Sequence, residues 1–208
     1  MYSLTLVTSL NSYFDKRLFV LLSFAFAACT VIGTLSHELG HFLIALFFGE
    51  KPKIHFASSS IDTPYEISQT KEILIILGGV MMTLFIGFTG FAQVMNRYFR
   101  RIRLEKLELN DWLKVLLTMF LLREPFNFVL HFWAKETHSD EQQLATLFSL
   151  PQNCVSLCLS LVSIWIIYFV IFKFVPRVQR LSLLLGAFVG STLGYLIWFH
   201  FIGPLVLP

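Results

Sequence analysis

Five stretches of the chain are apolar over about twenty residues or more, and short polar segments separate them. They cover residues 18–48, 73–95, 112–134, 155–175 and 181–202. A helix of about twenty apolar residues is long enough to cross a hydrocarbon core about 30 Å thick. The pattern therefore predicts an all-α fold, a polytopic bundle of about five transmembrane helices. It also predicts one integral membrane domain covering residues 1–208.

The composition supports a multi-pass protein whose surroundings are the lipid bilayer. Of the 208 residues, 56% are hydrophobic and only 14% are charged, and the mean hydropathy is +0.70. Soluble domains carry about 25% charged residues. The net charge of +3 is small and dispersed along the chain, so we expect no nucleic-acid partner.

The basic residues indicate how the helices are oriented. With five spans, most of them fall on the side that holds the N-terminus, including the cluster between the second and third spans: Arg97, Arg100, Arg101, Arg103 and Lys106. Cytoplasmic segments carry an excess of Lys and Arg. The N-terminus is therefore predicted to be cytoplasmic.

The third apolar stretch contains three residues that do not suit a regular transmembrane helix. Arg123, Glu124 and Pro125 lie near its middle. Proline removes a backbone hydrogen bond, and charged groups inside a membrane need a partner or a water-filled cavity. We expect a broken helix at this point, with freed carbonyl groups that line a polar cavity.

A zinc signature lies near the end of the first apolar stretch. The sequence His37-Glu38-Leu39-Gly40-His41 matches the pattern H-E-x-x-H. On a helix, His37 and His41 lie one turn apart and point the same way, so both imidazoles can reach one metal ion. Glu38 lies beside them and can accept a proton from a water that the metal activates. The motif predicts one Zn²⁺ per chain near one face of the membrane.

A catalytic zinc ion usually has three protein ligands and keeps a fourth position for water. Asp140 is the leading candidate for the third ligand, because its polar segment follows the third span and returns to the face where the first span ends. Ser139 and Asp140 can also cap a helix that runs through Leu147. Other candidates lie in the same segment and in the loop after the motif: Glu141, His138, Asp62 and Glu66.

These features resemble the site-2 protease family of intramembrane zinc metalloproteases. The likeness covers about the first 150 residues and is specific at residues 36–41. It implies that His37 and His41 bind zinc, that Glu38 is the general base and that Asp140 is the third ligand. It also implies that Asn127 helps to hold the substrate.

The chain departs from that family in two respects. The family's aspartate lies in a Leu-Asp-Gly context within a helix, whereas Asp140 lies between Ser139 and Glu141 in a segment predicted to be a loop. No inserted peptide-binding (PDZ) domain is present, so the helices or another protein must select the substrate. The likeness indicates a small, divergent member of the family in a bacterial plasma membrane.

The function predicted from these features is hydrolysis of peptide bonds in membrane-associated protein or peptide substrates. A substrate helix must unwind before cleavage, and residues 53–56 can form an extended segment that pairs with it. The alternative is a non-hydrolytic metal-binding membrane protein, either a transporter or an inactive protease homologue. Metal binding alone needs only the histidines, whereas hydrolysis also needs the carboxylate of Glu38.

Overall fold

The computed structural model describes residues 14–62, 67–100, 105–133 and 139–207, and most of these residues are helical. Within them, the elements follow in the order α1 (Lys16–Phe47), β1 (Pro52–Ile54), β2 (Ser59–Ile61), α2 (Gln69–Phe99), α3 (Leu109–Thr118), α4 (Arg123–Trp133), α5 (Asp140–Leu147), α6 (Cys154–Phe169), α7 (Arg177–Ile197) and α8 (Gly203–Val206). Short π-helical segments extend two of the helices, at Val170–Phe174 after α6 and at Trp198–Ile202 after α7.

Four helices are long and apolar enough to cross a membrane. They are α1, α2, α6 with its extension to Phe174, and α7 with its extension to Val206. Four of the five predicted spans are therefore confirmed as helices of sufficient length and apolarity. A fifth crossing through residues 112–134 stays a prediction.

The third apolar stretch is interrupted, as its sequence predicts. A turn of 3₁₀ helix, Met119–Leu122, separates α3 from α4, and α4 begins at Arg123. Pro125 then falls in the first turn of α4, where a backbone N–H would have no intrahelical acceptor. The break therefore lies just before Pro125. At this position the proline removes no hydrogen bond from α4.

Glycines let α1 approach the helices on both of its sides. Along α7, a methyl group on Gly190 would lie 2.8 Å from Cβ of Phe26, and one on Gly194 would lie 2.7 Å from the carbonyl oxygen of Ala27. Where α1 crosses α2, a methyl group on Gly78 would lie 2.6 Å from the carbonyl oxygen of Gly40. Small residues at such crossings permit backbone contact between helices in a membrane.

The apolar core is divided into a large and a small part. The large part joins α1, α2, α3, α6 and α7 and includes Leu22, Val94, Val115, Ile166 and Leu183. The small part contains Ile76, Val80 and Leu144, and it packs the short helix α5 against α2. This second contact brings the first residue of α5, Asp140, to the bundle.

The hairpin of β1 and β2 is attached to the C-terminal end of the chain. The strands are antiparallel, with Pro52 opposite Ile61 and Ile54 opposite Ser59. Beyond β1, the backbone N–H of Phe56 donates to the carbonyl of Leu207 at 3.1 Å, and Nε1 of Trp198 donates to the carbonyl of Phe56 at 2.8 Å. An extended segment was expected at residues 53–56, and β1 covers only the first two of these residues.

Candidate metal centre

Two histidines of α1 and one aspartate that is distant in the sequence converge between α1, α2 and α5. Nε2 of His37 and Nε2 of His41 are 3.1 Å apart. The carboxylate oxygen Oδ2 of Asp140 lies 2.6 Å from the first nitrogen and 3.2 Å from the second. These three residues form a group that could hold a metal ion.

Hydrogen bonds from α2 fix the orientation of both imidazole rings. Nδ1 of His41 lies 2.8 Å from the carbonyl oxygen of Ile75, and a carbonyl only accepts, so Nδ1 carries the proton and donates it. Nδ1 of His37 lies 3.0 Å from Oγ1 of Thr83. Each ring therefore directs Nε2 toward Asp140. Metal-binding histidines usually have this arrangement, with the second nitrogen bonded to an outer partner.

The spacing of the three atoms suits a small tetrahedral cation. Two imidazole nitrogens and a carboxylate oxygen at 2.6–3.2 Å need hydrogen atoms or a cation between them, either protons on the rings or a metal ion. In a tetrahedral zinc site with bonds of about 2.0–2.2 Å, neighbouring ligand atoms are about 3.3–3.5 Å apart. A small outward movement of the side chains would give that geometry. Two imidazoles and one carboxylate suit zinc better than magnesium or calcium.

Asp140 lies at the start of a helix and beside the two histidines. The prediction that it lies in a loop is wrong, because it is the first residue of α5. Ser139 is the N-cap, and its hydroxyl accepts a hydrogen bond from the backbone N–H of Gln142 at 3.4 Å, so the predicted cap is confirmed. A helix can begin here because Ser139 satisfies a free backbone N–H. The carboxylate of Asp140 remains available to the histidines.

The charge state of Asp140 suits a ligand. Burial raises the pKa of its carboxyl, but hydrogen bonds and positive charge from His37 and His41 outweigh that effect and hold the pKa well below its usual range. The side chain is 21% exposed, whereas that of His37 is 1% exposed. Water therefore reaches the candidate metal centre most easily at Asp140.

Glycine at position 79 makes room for the imidazoles. A methyl group on Gly79 would overlap Nε2 of His41 and would lie 2.8 Å from Nε2 of His37. Neighbouring Gly78 packs against Gly40 of α1. Gly79 instead shapes the floor of the candidate metal centre.

Glu38 is buried next to the converging atoms. It is 5% exposed, and its side chain interacts with His41, Asp140 and Ser59 of β2. The hairpin thus covers the glutamate of the motif. This contact places a possible proton acceptor beside the metal ligands without making it one of them.

The other predicted site residues lie apart from the three that converge. Asn127 donates from Nδ2 to Oε1 of Glu141 at 3.4 Å, and Glu141 is not part of the converging group. Asp62 is 75% exposed and pairs with Lys53 at 3.4 Å. Two further alternatives lie outside the described residues: His138 and Glu66.

Sequence reasoning missed the residues that support the ligands. Thr83 and Gly79 both belong to α2, four residues apart and therefore on one face. Within an apolar stretch, a glycine followed one turn later by a polar residue can indicate the helix face against which polar side chains of another helix pack. The backbone carbonyl of Ile75 and the hydroxyl of Ser59 give no comparable signal in the sequence.

Comparisons of the chain with protein-family models, with curated proteins and with solved structures give no match. The likeness to site-2 proteases therefore depends on the motif residues His37, Glu38 and His41 and on Asp140.

We expect purified wild-type protein to hold one zinc ion per chain, and we expect His37→Ala and Asp140→Ala to lose it. Each substitution removes one of three ligands, whereas Glu38→Gln and Glu141→Gln leave all three in place. Metal content per chain, measured by mass spectrometry after loading and desalting in detergent, tests this. Unchanged zinc in Asp140→Ala would contradict the ligand set.

We also expect Gly79→Ala to lower zinc occupancy at least tenfold, because its methyl group overlaps the ligand nitrogen of His41. Gly33→Ala is the matched control, since a methyl group there would lie 3.7 Å from the ring of Phe120. Zinc titration with a competing chelator measures both affinities. Equal affinities in the two variants would show that Gly79 has no part in the site.

Proposed function

We propose that this chain is an integral membrane zinc metalloprotease of the site-2 protease type, which hydrolyses peptide bonds in membrane-associated proteins or peptides. The observation that supports the proposal is the convergence of His37, His41 and Asp140 with Glu38 buried beside them. A metal site without hydrolysis needs no such glutamate. The motif, the third ligand and the membrane setting all agree with this function.

In this mechanism His37, His41 and Asp140 hold the metal ion and Glu38 moves protons. Bound zinc would supply Lewis acidity, which lowers the pKa of a water molecule and polarises the scissile carbonyl group. Glu38 takes a proton from the attacking water and passes it to the nitrogen of the departing amine. Ser59 of β2 lies beside the Glu38 carboxylate.

The hairpin of β1 and β2 offers a strand edge with which an unwound substrate segment could pair. The backbone groups of a transmembrane helix are already paired within the helix, so a segment must unwind before it can be cleaved. A strand edge offers backbone partners to an unwound segment. The hairpin lies over Glu38 through Ser59, so a segment paired with it would lie near the reacting groups.

The proposal includes a location in a bacterial plasma membrane, with the N-terminus in the cytoplasm. The basic residues at the start of α1 and at the end of α2 support this orientation: Lys16, Arg17, Arg97 and Arg100. Positive charges favour the cytoplasmic side. The metal centre would then lie toward the opposite face, because His41 is near the other end of α1.

We expect Glu38→Gln to reduce cleavage about 10²–10⁴-fold while the zinc content is unchanged, because the variant keeps the ligands and loses the proton acceptor. The protein can be reconstituted with bacterial membrane vesicles, and new peptide termini can be quantified over time by mass spectrometry. Glu72→Gln is the matched control, since Glu72 is an exposed acid in the first turn of α2.

Two outcomes of this experiment would contradict the proposal. Equal cleavage by wild type and Glu38→Gln would mean that Glu38 is not the base. Full zinc occupancy with no cleavage by wild type in any vesicle preparation would favour the alternative, a metal-binding membrane protein without hydrolytic activity.

A further inference from the structure

A basic cavity lies at the end of the bundle where α1 begins. At about 1.5 Å per residue, this end of α1 is about 30 Å from His37. The cavity has a volume of about 390 Å³, and small-molecule sites have volumes of about 300–1,000 Å³. Its walls come from the start of α1, the segment before α3 and the first turn of α7, and they include Asp15, Lys16, Arg17, Lys106, Val178 and Gln179.

The ionisable side chains around the cavity favour an anion. Three of them are cations: Lys16, Arg17 and Lys106. Asp15 is an acid in the same lining, and it is the N-cap of α1, where its Oδ1 accepts the backbone N–H of Leu18 at 3.1 Å. Three cations outweigh this one carboxylate. Lysine and arginine side chains in such a setting donate to phosphate oxygens.

Hydrogen bonds between separate segments fix the walls of the cavity. The backbone N–H of Leu107, next to Lys106, donates to Oε1 of Gln179 at 2.8 Å, and both Leu107 and Gln179 are buried. At the start of α1, the N–H of Asp15 donates to the hydroxyl of Ser182 on α7 at 2.9 Å. That hydroxyl donates to the carbonyl of Asp15 at 3.0 Å. The cations of α1 and Lys106 therefore line one cavity from fixed backbone positions.

An apolar groove adjoins the cavity along the exposed side of α1. Lys16 and Arg17 line both of them, and Val20, Leu21 and Phe24 form the rest of the groove. These three apolar side chains are 50%, 53% and 76% exposed. Val20 and Leu21 each follow a cation by one turn, so the groove continues along the same face of the helix. It extends about 12 Å from the charged end of α1.

We propose that the cavity and the groove together bind one anionic phospholipid. Its phosphate would lie among Lys16, Arg17 and Lys106, and an acyl chain would follow the groove over residues 20–24. The cavity lies at the membrane face predicted to be cytoplasmic, where anionic lipids are found and where basic pockets between helices bind their headgroups. A free phosphate would meet the same cations but would gain nothing from the groove. The site is independent of the proposed proteolysis, since it contains none of the metal ligands.

Native mass spectrometry of the full chain in detergent tests the site, with phosphatidylglycerol as the probe and zwitterionic phosphatidylcholine with the same acyl chains for comparison. We expect wild type to bind one phosphatidylglycerol saturably, at least tenfold more tightly than phosphatidylcholine. Lys16→Gln combined with Lys106→Gln should bind phosphatidylglycerol at least tenfold more weakly, because two cations are lost. Lys173→Gln is the matched control and should bind as wild type does, since Lys173 is an exposed cation shortly before α7 that does not line the cavity.

Two further arms distinguish a lipid from a free phosphate. Leu21→Ser keeps the three cations and makes the groove polar, so we expect it to bind phosphatidylglycerol about fivefold more weakly. Soluble glycerol phosphate, which carries the headgroup charge without chains, should not displace the lipid at equal concentration. Unchanged elution in gel filtration shows that each variant is folded.

Three results would overturn the proposal. The first is equal affinity of wild type for the two lipids, and the second is wild-type affinity in the double variant. The third is displacement of phosphatidylglycerol by glycerol phosphate at equal concentration, which would make the cavity a site for a free phosphate. Neither zinc nor cleavage is measured in this experiment, so its failure and the failure of the proposed function are distinguishable.

Discussion

The close crossing of α1 and α2 is the constraint on which the rest of the site depends. At this crossing the backbones of Gly40 and Gly78 are in contact, and Gly79 leaves space for the two imidazoles. Any larger residue would separate the helices and move the outer partners of the rings away. The crossing therefore orients the Nε2 atoms of His37 and His41 toward one point.

The position of Asp140 depends on a different contact, between α5 and α2. The helix α5 has only eight residues, too short to be stable alone in water, so its position depends on packing. Leu144 packs against Ile76 and Val80 of α2, and Ser139 caps the first turn. These contacts hold the first two turns of α5, which include Asp140. A metal ion bound to Asp140 and to α1 would in turn stabilise α5.

The sequence correctly predicted the structural features that depend on local patterns. Apolar length predicted the four long helices, and the residue types at Arg123 and Pro125 predicted the break in the third stretch. The spacing of His37 and His41 predicted one shared face. These features depend on neighbours within one or two helix turns, which a single sequence displays directly.

The features that the sequence did not predict depend on contacts between distant segments. The outer partners of the rings, Ile75 and Thr83, follow only from the rotation of α2 against α1. The sequence left open whether Asp140 lies in a loop or at a helix start, because a capping interaction competes with other conformations of a polar segment. The hydrogen bond from Asn127 to Glu141 joins two helices whose relation no local pattern reveals.

The central claim is that two imidazoles and one carboxylate hold a zinc ion. X-ray absorption at the zinc edge of the detergent-purified protein tests it most directly. We expect a first shell of nitrogen and oxygen atoms only, at about 2.0–2.2 Å, with the outer-shell scattering of two imidazole rings. A shell that contains sulfur at about 2.3 Å, from Cys29, Cys154 or Cys158, or one without imidazole scattering, would contradict it.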